Sequence, residues 1–319
     1  MKAVQILGDV SSPKITVNDS LIQPKPTGSE ILIRVHAAGI TGDEVLWPEV
    51  YTTPSRIPGH DISGVIAALG PDYSGPLELG QEVFAFIAAE RGQGQAQYAI
   101  CLPNEVAPKP KSITHEEAAA LPIPLLTAWE AIVDHCKIQS GMRVFVSGAS
   151  GAVGQIAVQL LTQQAGAHVI ALASSHNHHT LKALGAQELF DYKVPGWENH
   201  IKDVDAVLDT VGGDVLSKSW DIVKADGVIA TVADPPPPWA FEKSLPDEHA
   251  DRPHVRYKYF VVSPNMERLL QASELIDMDS FKPLAITSYP LKDAEMAWEV
   301  SRQRGHGKKV VITMLENDE

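Results

Sequence analysis

A run of small residues at 146–154, Val-Ser-Gly-Ala-Ser-Gly-Ala-Val-Gly, constrains the fold of this 319-residue chain more than any other segment. It follows an apolar strand pattern and precedes a stretch whose apolar residues repeat at helical spacing. In that context Gly151 lets the backbone approach a pyrophosphate closely, and Gly154 lets the helix pack tightly on its strand. The helix start then offers its free amides to the phosphates. The sequence therefore predicts a dinucleotide site at Ser150, Gly151, Ala152 and Val153.

Ala149 stands where the usual pattern has its first glycine. The alternative interpretation is a plain strand-to-helix turn that is rich in small residues. The strand before the turn and the helix after it favour the dinucleotide site.

The rest of the chain shows two patterns of predicted secondary structure. Short strands separated by Gly and Pro, such as 31–37 and 64–69, predict a mostly antiparallel, barrel-like domain. Strands that alternate with helices predict a parallel sheet covered on both faces. The fold class is thus α/β with two domains. We expect them at residues 1–118 and 119–262, with a tail at 263–319 that returns to the first domain.

Composition excludes several function classes. The formal net charge is -14 and aromatic residues make up only 6% of the chain, which argues against nucleic acid or an anionic membrane as a partner. No apolar run approaches the ~20 residues that cross a bilayer. The two cysteines, Cys101 and Cys136, are too few for a disulfide framework and indicate a reducing compartment. We expect a cytoplasmic protein.

The end of the second strand of the parallel sheet indicates which dinucleotide binds. An NAD site usually carries an acid about 20 residues after the glycines, to hold the ribose 2′-hydroxyl. Here that position falls at Ser174 and Ser175, and no acid occurs from Gln155 through Gln187. A 2′-phosphate would meet hydroxyl donors and no carboxylate, so the sequence predicts NADPH. The histidines at 176–179 are interpreted as a solvated helix start rather than as a metal cluster, because neither Cys nor acid lies nearby.

Several further segments, in this order, resemble the medium-chain dehydrogenase/reductase superfamily, in its zinc-free quinone oxidoreductase branch. The resemblance covers essentially the whole chain. Besides the glycine turn, it is carried by residues 1–4, 35–40, 57–65, 121–129, 184–186, 209–213 and 307–311.

This resemblance implies a GroES-like substrate domain joined to a Rossmann domain, and it assigns further residues to NADPH. Thr127 would contact the cofactor near the nicotinamide, Val211 and Gly212 would line its ribose, and Ser174 and Tyr192 would lie near the 2′-phosphate. The sequence departs from the pattern at Asn177, where NADPH-using relatives often have Lys.

The resemblance also bears on zinc. Many relatives hold a catalytic zinc with Cys at the position of Thr41, with His at that of His60, and with a second Cys in the 121–129 region, where this chain has none. Neutral Thr is a poor zinc ligand, so we expect no metal. Without zinc, hydride transfer to a conjugated acceptor is favoured, because its developing charge moves onto a distant carbonyl oxygen that hydrogen-bond donors can stabilise.

The expected function is therefore NADPH-dependent reduction of a small quinone or α,β-unsaturated carbonyl. Thr41 is the candidate donor to the carbonyl oxygen and Tyr51 the candidate proton donor, with solvent as the alternative proton source. Two other functions remain open: an enoyl-thioester reductase of a biosynthetic pathway, and a binding protein that holds NADPH without turnover. The resemblance further implies a homodimer through the sheet edge near 258–262.

Overall fold

The computed structural model describes residues 1–233, 235–240, 251–303 and 307–315. Part of the proline-rich segment at 233–257, which the sequence interprets either as a lid or as a stiff surface excursion, lies outside the described residues. Within the described ranges, no helix has the length and apolar character needed to span a bilayer.

Strands and helices are numbered along the chain. The strands are β1 (Ala3–Leu7), β2 (Lys14–Asn18), β3 (Ile31–Gly39), β4 (Asp61–Leu69), β5 (Glu82–Phe86), β6 (Tyr98–Cys101), β7 (Val106–Pro108), β8 (Arg143–Val146), β9 (His168–Leu172), β10 (Glu188–Phe190), β11 (Val204–Asp209), β12 (Val223–Thr231), β13 (Arg256–Tyr259), β14 (Ile286–Pro290) and β15 (Lys309–Thr313). The helices are α1 (Pro48–Thr52), α2 (His115–Ala118), α3 (Pro122–Glu130), α4 (Ala152–Gln159), α5 (His178–Ala183), α6 (Gly213–Ile222), α7 (Met266–Asp277) and α8 (Ala294–Ser301).

The first of two compact units comprises residues 1–126 and 263–319. Its main sheet has the order β14-β15-β3-β4-β5-β7, with β6 also paired to β3. The pairs are antiparallel except β14 with β15. The last strand is therefore hydrogen-bonded to β3, so that Val311 lies opposite Gly39. This register brings residues from the two ends of the chain together.

A buried tryptophan connects the tail of this unit to its core. Trp298 of α8 is 1% exposed and packs among the apolar side chains of the sheet. Its indole nitrogen donates to the Gln95 side chain at 2.9 Å, and Gln95 in turn donates to the Gly39 carbonyl at 3.3 Å. The polar end of the buried ring is thus satisfied, as a buried tryptophan requires.

The second unit comprises residues 127–262 and contains a six-stranded parallel sheet. Its strand order is β10-β9-β8-β11-β12-β13, and every neighbouring pair is parallel. Counted from β8, this is the order 3-2-1-4-5-6 of dinucleotide-binding domains, which reverses between β8 and β11. The expected α/β class, with one parallel and one mostly antiparallel sheet, is confirmed.

The domain limits expected from the sequence, with a first boundary after residue 118, stay a prediction. Individual strands differ from the sequence expectation at their ends. The clearest case is β4, which begins at Asp61, three residues before its predicted start, because Asp61 and Ile62 already pair with β5.

Two histidine rings pack against each other in the first unit, tilted by 54°. The ring centroids of His36, on β3, and His115, at the start of α2, are 4.2 Å apart. His115 Nδ1 is hydrogen-bonded to the Ser63 hydroxyl at 2.8 Å, and its other ring nitrogen lies 3.4 Å from the Glu82 carboxylate. Burial, followed by the nearby His115 and Arg34, lowers the pKa of His36 to about 4. The fold therefore holds His36 neutral.

We expect this pair to make stability depend on pH. The His36 pKa is about 4 in the folded chain and about 6.5 in an unfolded one, so the unfolded chain binds the extra proton between those values. Stability is then fully present above pH ~6.5 and falls as the pH is lowered toward 4. With allowance for solvent screening, His36 should account for about 1 kcal/mol of the loss between pH 7 and 5.

Urea unfolding at the two pH values measures this loss. The variant His36→Leu should lose less stability on acidification than the wild type, whereas His179→Leu, at an exposed position of α5, should match the wild type. An equal loss in His36→Leu and the wild type would contradict the assignment.

Candidate functional site

The glycine turn joins β8 to α4 at the point where the strand order reverses. Helix α4 begins at Ala152 with Gly151 as its N-cap, and Gly151 is exposed. The first amides of a helix have no acceptor inside that helix, so those of Ala152 and Val153 are available to an anion at this end. The predicted residues Ser150, Gly151, Ala152 and Val153 thus form one short edge at the switch point, where open parallel sheets bind their ligands.

Gly154 and Gly148 permit the close packing of this turn. A Cβ added at Gly154 would lie 2.5 Å from the Cα of Ala149 and 2.5 Å from the carbonyl oxygen of Gly148. Gly148 has a φ of +59, and a Cβ there would lie 3.0 Å from a Val211 methyl group. The exit of β11 therefore packs directly on the turn, which places Val211 beside it.

A buried carboxylate fixes the β11 exit. Asp209 is fully buried and accepts hydrogen bonds from the Ser147 hydroxyl at 2.5 Å and the Thr231 hydroxyl at 2.7 Å. It also accepts from the amides of Val211 at 3.3 Å and Gly212 at 3.0 Å. Asp209 thus ties three strands together and sets the conformation of both residues that the resemblance assigns to the ribose.

The predicted 2′-phosphate residues gather at the ends of β9 and β10. Ser174 is 4% exposed, and its hydroxyl lies 3.4 Å from the amide nitrogen of the Asn177 side chain and 3.1 Å from His176 Nδ1. Ser175 is exposed. Tyr192 is 51% exposed, and the Lys193 amine lies 5.9 Å from its ring centroid.

The structure corrects one expectation here, because a carboxylate does lie at this edge. Asp191 Oδ2 accepts from the Ser175 amide at 3.0 Å, and Oδ1 accepts from the Lys193 amide at 2.9 Å. The hydrogen bond from Lys193 lowers the pKa of Asp191, so the group is charged. The sequence search covered only β9 and its helix. β10 lies beside β9 in the sheet and brings in an acid from 16 residues further along the chain.

Thr127 is buried in α3, and its assignment to the cofactor stays a prediction. The remaining two predicted residues, Thr41 and Tyr51, belong to the first unit.

His60 and Glu44 form a buried ion pair in the first unit. Both side chains are at least 98% buried, and Nε2 of His60 lies 3.3 Å from Oε1 of Glu44. The same oxygen accepts from the Gly59 amide at 2.5 Å, and the other ring nitrogen of His60 lies 2.9 Å from the Ile87 carbonyl. Burial alone would lower the pKa of His60, but the charge of Glu44 and its hydrogen bond raise it to about 8.

A second buried pair lies beside it. Lys309 is 8% exposed, and its amine lies 3.2 Å from Asp61 Oδ2 and 3.4 Å from Thr41 Oγ1. Asp61 is 1% exposed, and its Oδ1 accepts from the Ile123 amide at 2.6 Å. Burial raises the pKa of Asp61, and Lys309 opposes this shift.

The expectation that this site holds no zinc stays a prediction, and two observations support it. Among the described residues, no three His, Cys, Asp or Glu side chains converge as a metal site requires. Thr41, at the position of a ligand cysteine, contacts a lysine, and an ammonium next to a ligand position repels a dication.

The Tyr51 hydroxyl is hydrogen-bonded to the backbone, and the role of Tyr51 as proton donor stays a prediction. Its hydroxyl donates to the Val45 carbonyl at 2.6 Å, and its half-buried ring has the Arg56 guanidinium 5.7 Å from its centroid. Burial raises the pKa of Tyr51. Its hydroxyl proton is thus committed to the backbone in this structure.

Three groups at these sites were missed by sequence reasoning: Asp191, Asp209 and Lys309. Asp209 and Lys309 lie in segments that carry the resemblance, which is a signal, but their roles depend on contacts across the sheets. Lys309, for example, meets Thr41 across 268 residues of chain.

Comparison with known proteins places these features in a family context. Residues 27–111 match the model of the alcohol dehydrogenase GroES-like domain, and residues 184–312 match that of a zinc-binding dehydrogenase. A protein of Arthroderma benhamiae named "Probable zinc-binding oxidoreductase, mitochondrial" is 31% identical over 92% of this chain and 93% of its own length. The mouse "NAD(P)H oxidoreductase RTN4IP1, mitochondrial" is 29% identical, over 89% of this chain and 81% of its own. These matches confirm the expected GroES-like component.

A solved structure gives the same fold. The quinone oxidoreductase from Coxiella burnetii superposes with a TM-score of 0.82 and 27% sequence identity, covering 98% of this chain and 99% of its own.

The expectation of a cytoplasmic protein is wrong as it stands, because both relatives are named as mitochondrial. Its basis was the scarcity of cysteine, which separates reducing from oxidising compartments and cannot separate one reducing compartment from another.

Two glycine variants test the turn. Gly154→Ala places a methyl group against backbone atoms and should destabilise the fold by about 2 kcal/mol, through overpacking. Gly151→Ala meets only the Gly148 carbonyl oxygen, at 3.2 Å, so it should fold normally. Gly151→Ala should still lower the affinity for NADPH about tenfold, because the added methyl group keeps the pyrophosphate away from the helix amides.

Urea unfolding and fluorescence titration with NADPH measure the two effects separately. Wild-type affinity in Gly151→Ala would remove the turn from the cofactor site.

Proposed function

This chain belongs to the medium-chain dehydrogenase/reductase superfamily and is an oxidoreductase with a nicotinamide cofactor, and we propose that it uses NADPH to reduce a small quinone or α,β-unsaturated carbonyl without zinc. The observation that carries the proposal is the environment of Thr41. A hydroxyl and a buried ammonium stand where metal-using members have a thiolate ligand.

The choice of acceptor follows from this environment. Oxidation of an alcohol needs a Lewis acid to stabilise the alkoxide, and Thr41 with Lys309 supplies no metal ligand set. A conjugated acceptor needs only hydrogen-bond donors at its carbonyl oxygen, where charge develops as hydride adds to the β-carbon. Thr41 is the donor that we assign to that oxygen.

When bound, the nicotinamide supplies the hydride. The residues of this chain bind and orient the cofactor. The α4 amides hold its pyrophosphate, Val211 and Gly212 line its ribose, and Thr127 contacts its nicotinamide. Because the Tyr51 hydroxyl donates to Val45, we assign the proton that completes the reduction to solvent.

The proposed preference for NADPH over NADH rests on the residues that follow the carboxyl end of β9. Ser174 and Ser175 provide hydroxyls there, and Tyr192 with Lys193 flanks them. Asp191 is charged, but each of its oxygens already accepts a backbone amide, so we interpret it as a loop-fixing group rather than as a ligand of the ribose 2′-hydroxyl.

We further propose a homodimer through β13. This strand is the edge of the six-stranded sheet, and Val261, just beyond it, is 60% exposed. An open sheet edge with apolar flanking residues is suited to pairing with a second copy.

NADPH oxidation by a panel of acceptors tests the function. Quinones and enones should consume NADPH, simple alcohols with NADP⁺ should not react, and the chelator 1,10-phenanthroline should leave the rate unchanged. Parallel assays with enoyl thioesters separate the alternative thioester substrate. Loss of activity with the chelator, or alcohol oxidation as the faster reaction, would refute the zinc-free assignment.

A charge substitution tests the cofactor preference. Asn177→Lys places a cation beside the Ser174 hydroxyl. It should raise the affinity for NADPH about fivefold, since an exposed ion pair between the lysine and the 2′-phosphate contributes up to ~1 kcal/mol. NADH affinity should stay unchanged. The neutral control Asn177→Gln should leave both affinities near those of the wild type. Equal tightening of NADH and NADPH would place the 2′-phosphate elsewhere.

A further inference from the structure

Lys309 is held in a defined place by its surroundings. It is the first residue of β15 and is almost fully buried. Its aliphatic chain passes over Gly39, where an added Cβ would lie 3.2 Å from Lys309 Cε and 3.1 Å from the Asp61 Cβ. The nearest atom to such a Cβ would be the Ala119 carbonyl oxygen, at 2.5 Å, so the backbone packs tightly at Gly39 with the Lys309 and Asp61 side chains beside it.

Asp61 anchors the amine. One carboxylate oxygen accepts from the Ile123 amide at 2.6 Å, which orients the group, and the other lies 3.2 Å from Lys309 Nζ. The third group at the amine is Thr41 Oγ1, at 3.4 Å. The chain thus forms a line of contacts from Ile123 through Asp61 and Lys309 to Thr41.

The direction of the last hydrogen bond has a chemical consequence. An ammonium group has donors and no acceptor, so Thr41 Oγ1 must accept from Lys309. The hydroxyl hydrogen of Thr41 then remains for another acceptor. The positive charge behind the hydroxyl also favours negative charge in front of it.

We propose that Lys309 is a positioning residue for the reaction: anchored by Asp61, it donates to Thr41 and so directs the Thr41 hydroxyl toward the carbonyl oxygen of the acceptor. This inference rests on the proposed function. The acceptor gains a hydride at its β-carbon while its conjugated π electrons shift to the oxygen, which Thr41 stabilises. A solvent proton then completes the saturated carbonyl, and NADPH is oxidised to NADP⁺ by the same two electrons.

A purely structural role for Lys309 makes different predictions. A buried ion pair often contributes little net stability, and its loss would change unfolding rather than the chemical step. A positioning role requires that kcat depend on Lys309 only while Thr41 is present.

The test is a double-mutant cycle on kcat with an enone acceptor. Lys309→Met and Thr41→Val should each lower kcat ten- to a hundredfold, and the double variant should lose no more than the stronger single variant. Lys309→Arg, which keeps the charge, should recover a substantial part of the rate. NADPH affinity should change less than twofold in all four. Lys14→Met, at an exposed lysine of the same unit, should match the wild type.

Lys309→Met leaves Asp61 buried without its partner, which destabilises the fold. The double variant Lys309→Met/Asp61→Asn removes both buried charges, so it should fold. We expect it to lose as much kcat as Lys309→Met. Wild-type kcat in a folded Lys309 variant, or losses that multiply in the double variant, would overturn the inference alone. A wild type that consumes no NADPH with any acceptor would overturn the proposed function together with it.

Discussion

Two buried ion pairs, Lys309 with Asp61 and His60 with Glu44, constrain the first unit around Thr41. In the first unit, Lys309 is held by Asp61 and His60 by Glu44, each pair at about 3.2–3.3 Å. Leaving one member of such a pair unpartnered in the interior costs several kcal/mol, so each residue fixes the position of the other. Because Lys309 begins the last strand and Asp61 begins β4, the pairing also determines where the tail joins the sheet.

The second unit satisfies its buried carboxylate by hydrogen bonds instead of a cation. Asp209 accepts from two hydroxyls and two amides, which satisfy the oxygens of its buried carboxyl group. Its donors come from the ends of β8, β11 and β12, so the strands that border the switch point are fixed at the same edge. The glycine turn then packs on that edge with no room for a side chain at Gly154.

Local patterns in the sequence were enough to predict the turn, the parallel sheet and the mostly antiparallel sheet. Each depends on residues close in the chain, such as the strand at 143–146 and the helix that follows the glycines. Two contacts at the candidate sites lay beyond such patterns. Asp191 reaches Ser175 because β10 lies beside β9, and Lys309 reaches Thr41 because β15 pairs with β3. Strand order and register decide both contacts, and neither is encoded in local periodicity.

Two buried ion pairs lie next to Thr41, and they bear on the acceptor that we propose. In these two pairs each carboxylate already faces a basic group, Lys309 for Asp61 and His60 for Glu44, so neither pair carries net charge. A neutral acceptor is the species that enters such a site at the least electrostatic cost. In the reduction that we propose, negative charge would appear on the acceptor oxygen only as hydride arrives, next to the Thr41 hydroxyl that accepts from Lys309. The two ion pairs are thus the physical reason for proposing the neutral carbonyl of a quinone or enone as the acceptor.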